Sequence, residues 1–164
     1  MIARDMTELD TIRSECMDLV TKRALVSGAT SSIPVPGVDV AADVLILMEL
    51  LQSINARFGL SSEQIDGYDP VTKQVIYQLI KRAGLTMVGA EVSKTLVTQV
   101  LKRAAGKTVA RQAFKFVPIL GSVVNAAIGF TAMKYVGNTH VEDCHAVCRK
   151  IIEMNGVDGS SGNQ

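Results

Sequence analysis

Apolar residues in this chain recur every three to four positions and nowhere alternate at period two, a pattern that builds helices and no sheet. Thr7 with Asp10 makes a capping pattern ahead of Ile12, Cys16, Leu19, Val20 and Ala24. That run stops before Ser31-Ser32-Ile33-Pro34-Val35-Pro36-Gly37, where two prolines and a glycine impose a rigid turn. A second helix is expected over 39–58, opened by Asp39 and ended at Gly59. Ser61 with Gln64 reads as a capping box, and Asp69-Pro70 as an N-cap followed by proline at the first helical position. Further helices are expected to Ala83 and over 86–104, 108–116, 119–136 and 140–154, the last capped by Thr139 and Glu142. The expected fold is all-α, a compact bundle of six or seven helices. It forms a single domain over 1–155, with a small polar tail at 156–164 expected to be disordered.

At 164 residues such a domain buries about two-thirds of its unfolded surface. A net charge of +1, with cations scattered as Lys22/Arg23, Lys81/Arg82, Lys102/Arg103 and Arg149/Lys150, argues against nucleic acid. Aromatics at 4% supply no base-stacking platform. The composition is nonetheless apolar, 48% hydrophobic, which requires either a large core of small residues or apolar surface that meets a membrane or partner. Three cysteines and a charged opening, MIARDMTELD, fit a reducing compartment and neither signal peptide nor anchor. The expected location is cytoplasmic, peripheral to a membrane or partly inserted in it.

Two helices carry the most information. On the second, Val40, Val44, Leu47, Met48, Leu51 and Ile54 form one apolar stripe, with Asp43 inside the apolar zone. A buried carboxylate needs a partner, so Asp43 is either a structural contact or a ligand- or pH-sensitive one. On the sixth, Gly121, Ser122, Asn125, Ala126, Gly129 and Ala132 gather on one side, where another helix can approach closely. Residues 117–133 carry no charge, which suits a buried core helix, membrane insertion, or contact in a homo-oligomer.

The chemistry-like patterns are weak. Gly106-Lys107-Thr108 ends like a phosphate loop, but Leu101 stands where that loop needs glycine, and helix precedes it where a strand is required. His140, Cys144 and Cys148 are spaced four apart on one helix, with Asp143 and His145 adjacent. The outer two lie about 12 Å apart by helix rise, so a single metal would need two of the three plus ligands from elsewhere, such as Cys16. Ordinary helix residues and a cysteine–histidine nucleophile are the other readings, and the latter lacks an orienting group and an oxyanion site. The expectation is no catalysis, no metal and no cofactor.

The stretch KRALVSGATSSIPVPGVDVAADVLILMELLQSINARFGL resembles the entry to the helical domain that follows the G domain in immunity-related GTPases, and related EcsC-like bacterial membrane-associated helical families. Lys22, Arg23, Ile33, Pro34, Pro36, Gly37, Asp43, Phe58 and Gly59 carry that match. FVPILGSVVNAAIGFTAMKYV is similar to a later turn and small-residue helix of the same family, through Pro118, Gly121 and Ser122. The resemblance implies an all-α fold working beside a GTPase or on an intracellular membrane, and supplies no catalytic residues. The expected function is a non-catalytic helical module that associates with membrane lipid, a GTPase, or both; the alternative is a soluble protein–protein adaptor without lipid affinity. Pro34, Pro36, Gly37, Asp43, Pro118, Gly121, Ser122, Asn125 and Gly129 are the interaction or structural candidates.

Overall fold

The computed structural model describes residues 1–30, 38–89, 92–100, 103 and 121–160, with side chains described for 1–26, 44–89, 92–100, 103 and 130–155. All regular structure among the described residues is helical: α1 Met6–Thr30, α2 Val38–Arg57, α3 Ser62–Asp66, α4 Pro70–Ala83, helical residues at 94–100, and α5 Gly121–Ser160. The expected helix over 108–116 and the turns at Pro34-Pro36-Gly37 and Pro118 lie outside the described residues.

Several boundaries follow the capping chemistry. Ser61 Oγ accepts from the Gln64 amide at 3.3 Å and Gln64 Oε1 accepts from the Ser61 amide at 3.1 Å, a reciprocal box that starts α3. Asp69 Oδ1 accepts from the amides of Val71 and Thr72, and Pro70 follows at a position where its missing N–H costs nothing. α2 ends where Gly59 turns left-handed, φ 73°. The Gly59 amide then bonds Ala56 O, and the Leu60 amide reaches back to Asn55 O at 2.8 Å.

Three boundaries differ from the sequence expectation. α1 is capped by Asp5, not by the Thr7/Asp10 pattern: Asp5 Oδ1 accepts from the Glu8 amide and Glu8 Oε2 accepts from the Arg4 amide, both at 2.9 Å. The helix expected from 86 starts only after Ser93, whose hydroxyl accepts from the Leu96 amide. Residues 85–89 form a non-helical turn in which Gly89 sits at φ 68°. The largest difference is α5, one helix where two were expected, running through Thr139 and past Asn155-Gly156 to Ser160. Gly137 lies within this helix at a position of close packing. A Cβ there would sit 2.7 Å from Val20 Cγ1 and 3.4 Å from Leu50 Cδ2.

Contacts divide the chain into two units. One comprises Met17–Leu51 and Val92–Thr139, with Val20, Ala24, Leu47, Leu50, Leu51, Val97, Met133 and Val136 in its core. The expected stripe of α2 is thus buried at Val44, Leu47 and Leu51, while Met48 is only half-buried. The other comprises Met1–Cys16, Gln52–Glu91 and His140–Gln164. Its core holds Leu9, Ile54, Phe58, Leu60, Ile65, Ile76, Val141 and Val147, together with Asn55, His140 and the three cysteines.

Candidate functional site

Spacing of four along α5 brings His140, Cys144 and Cys148 onto one buried face. The last turn of α2 adds Asn55, 2% exposed, and the 85–89 turn adds the Met87 carbonyl. Asn55 joins these elements. Its Nδ2 donates to Met87 O at 3.0 Å, so its Oδ1 is left to accept, and His140 Nε2 lies 3.0 Å from it. That network makes Nε2 a proton-bearing donor to Asn55 Oδ1. The Cys144 thiol donates to the same oxygen at 3.5 Å and lies 3.7 Å from His140 Nε2. One turn on, the Cys148 thiol donates to Phe58 O at 3.4 Å.

Burial pushes the Cys144 thiol well above its ordinary value, Cys148 up to about 12 and Cys16 up to about 11. The nucleophile and the metal ligand are both the thiolate, so three protonated thiols suit packing and hydrogen bonding. Among the described residues no group of three or more His, Cys, Asp or Glu side chains is placed to hold a metal ion. The cysteines are therefore expected to resist alkylation at pH 8 in the native chain and to react fully in denaturant. A thiol-labelling time course followed by intact mass reads this directly.

The N-terminal segment is tied to the same unit. Tyr68 Oη accepts from the Ile2 amide at 2.9 Å and donates to Gly59 O at 3.0 Å. A cleft of 630 Å³ opens beside it, lined in part by Ile2, Met6, Tyr68, Thr72, Ile151 and Asn155. Its charged neighbours are occupied structurally: Arg4 pairs with Glu8, and Asp5 caps α1. On the surface, Arg13 holds Glu142 through paired Nε contacts of 3.0 and 3.1 Å, which keeps that carboxyl below its ordinary range. His145 Nε2 lies 2.9 Å from Asp10 Oδ1.

Of the sequence candidates, Asp43 falls in α2 and Gly121, Ser122, Asn125 and Gly129 fall in α5, with their side-chain surroundings outside the described residues. Pro34, Pro36, Gly37 and Pro118 lie wholly outside them. Asn55 was missed because an isolated asparagine near a helix end carries no pattern. Only the adjacent Phe58-Gly59 stop hinted that this turn was special.

The chain is 28% identical over 152 residues to interferon-inducible GTPase 5 of Rattus norvegicus, an alignment covering 85% of this chain and 31% of the relative. It is 29% identical over 146 residues to interferon-inducible GTPase 5 of Bos taurus, covering 82% and 30%. The chain resembles the immunity-related GTPases. It spans about a third of the length of these curated relatives. No protein-family model and no solved structure matches it.

The resemblance implies an all-α fold, and all regular structure among the described residues is helical. Residues 44–66 are long and apolar enough to cross a membrane, with mean hydropathy 1.2, yet half of that stretch is buried. The left-handed cap at Gly59 also breaks it into α2 and α3, so core packing accounts for its apolarity. Residues 117–133 are described as helix from Gly121 and at side-chain level only from Phe130.

Proposed function

We propose that this chain is a non-catalytic helical module that associates peripherally with an intracellular membrane, in the company of a GTPase. The observation that carries the reading is the alignment with interferon-inducible GTPase 5 along more than four-fifths of the chain. The interior supports it. His140, Cys144 and Cys148 are buried and engaged with Asn55 and Phe58 O, out of contact with solvent. Hydrolysis needs a phosphate-binding loop opening onto a helix N-terminus, and Gly106-Lys107-Thr108 lacks the glycine five positions earlier.

The test is a phosphate-release assay of the purified chain with GTP and magnesium, run beside vesicle binding. No turnover above buffer together with vesicle binding is the expected result. Turnover abolished by Lys107→Ala would overturn the non-catalytic reading. Vesicle binding absent under all conditions would overturn the membrane reading in favour of a soluble adaptor.

A further inference from the structure

We propose that the outward face of α4 is the surface through which this chain meets an anionic phospholipid membrane, an inference that rests on the membrane reading above and gives it a location. The fourteen residues of α4 carry Lys73, Lys81 and Arg82 and no acid. Ile76, fully buried, fixes the inner side of the helix, and caps at both ends make it a preformed, rigid element. At 100° per residue Pro70, Gln74, Tyr77, Gln78 and Lys81 share the outer arc, with Val71 and Arg82 at its margin. Val71 is 72% exposed and Tyr77 45%, values that place apolar groups in water beside the cations.

The arrangement suits a lipid interface. Lys73, Tyr77 and Lys81 line a shallow groove along the helix with Pro70, Gln74 and Gln78. Lysine stems can cover its apolar floor while the ammonium groups reach outward, and a tyrosine ring with its hydroxyl suits the headgroup level. Two of the acids nearest α4 are engaged at its N-terminal end. Asp66 pairs with Lys73, and Asp69 is held ionised by the amides it caps. From Asp69 to Arg82 is about 20 Å of helix rise, roughly two Debye lengths at physiological salt, so the acidic end does not screen the cationic one. Neither Lys81 nor Arg82 has an ion-pair partner among the described residues. Cations interleaved with apolar groups, and no acid to set a register, match a laterally uniform anionic surface better than a patterned protein partner.

The experiment is co-sedimentation of the full chain with vesicles of phosphatidylcholine alone and of phosphatidylcholine with phosphatidylserine, at low salt. Each cation near an anionic surface is worth about fivefold in partitioning, so Lys81→Gln with Arg82→Gln is expected to weaken binding to the phosphatidylserine vesicles roughly thirtyfold. Lys94→Gln with Arg103→Gln removes the same charge at exposed helical positions outside α4 and is expected to leave binding nearly unchanged. All four positions are exposed, and circular dichroism of both variants checks that helix content is retained. Equal loss in both double variants, or none in either, would overturn the assignment to α4 while membrane association stood. Failure of the unmodified chain to bind phosphatidylserine vesicles would overturn both, and retention on an acidic protein surface instead would assign the face to a protein partner.

Discussion

Replacing Asn55 with leucine is expected to lower the unfolding free energy by about 3 kcal/mol, more than its volume change accounts for. The side chain is 2% exposed and serves three groups: it donates to Met87 O and accepts from His140 Nε2 and the Cys144 thiol. Leucine has similar bulk but leaves the Met87 carbonyl and the imidazole N–H without this partner in a dry interior, at roughly 1–3 kcal/mol for each unsatisfied group. For a chain of this size that is a fall in melting temperature of about 6–12 °C. Pairing Asn55→Leu with His140→Leu removes donor and acceptor together, so the double variant should be more stable than the sum of the single losses by at least about 1 kcal/mol. Urea unfolding of the four proteins gives the cycle. Strict additivity would mean that the histidine and asparagine do not act as a pair.

Gly59→Ala is expected to cost about 2–3 kcal/mol for two separable reasons. Its φ of 73° is left-handed, where a side chain costs about 1 kcal/mol or more. An added Cβ would also stand 2.5 Å from both Ile2 N and Met1 C, backbone atoms that have to move away. That movement breaks the bond from the Ile2 amide to Tyr68 Oη and lifts Ala3 from its buried position. Tyr68→Phe isolates the second part, because it deletes the hydroxyl and leaves the backbone at Gly59 untouched. Amide hydrogen exchange at Ile2 should rise in both variants, whereas only Gly59→Ala should weaken the end of α2. Unchanged exchange at Ile2 in either variant would show that the N-terminal segment is held by something else.

What could be read from the sequence was local. Asp69-Pro70, Ser61 with Gln64, and the glycine end at Gly59 all acted where their chemistry says, since each is set by residues within one turn. Reading failed where a distant group decided the outcome. The helix expected to end at 136 continues through Gly137, where Val20 and Leu50 crowd any added side chain, and Thr139 lies inside the helix rather than capping a new one. Likewise 86–89 and 92–93 stayed out of helix, with the carbonyl of Met87 receiving the Asn55 amide across 32 positions of sequence. The histidine–cysteine spacing was visible, but the partner that gives it meaning, Asn55, sits 85 residues away. Periodicity exposes the face of α5 and says nothing about what it meets.

The most direct test of the functional account is flotation of the purified chain through a density gradient with neutral and with anionic vesicles, each at low and at high salt. The account predicts that the chain rises with anionic vesicles at low salt and largely stays behind in 1 M salt, where the Debye length contracts to about 3 Å. A chain left at the bottom of the gradient in all four conditions would contradict it.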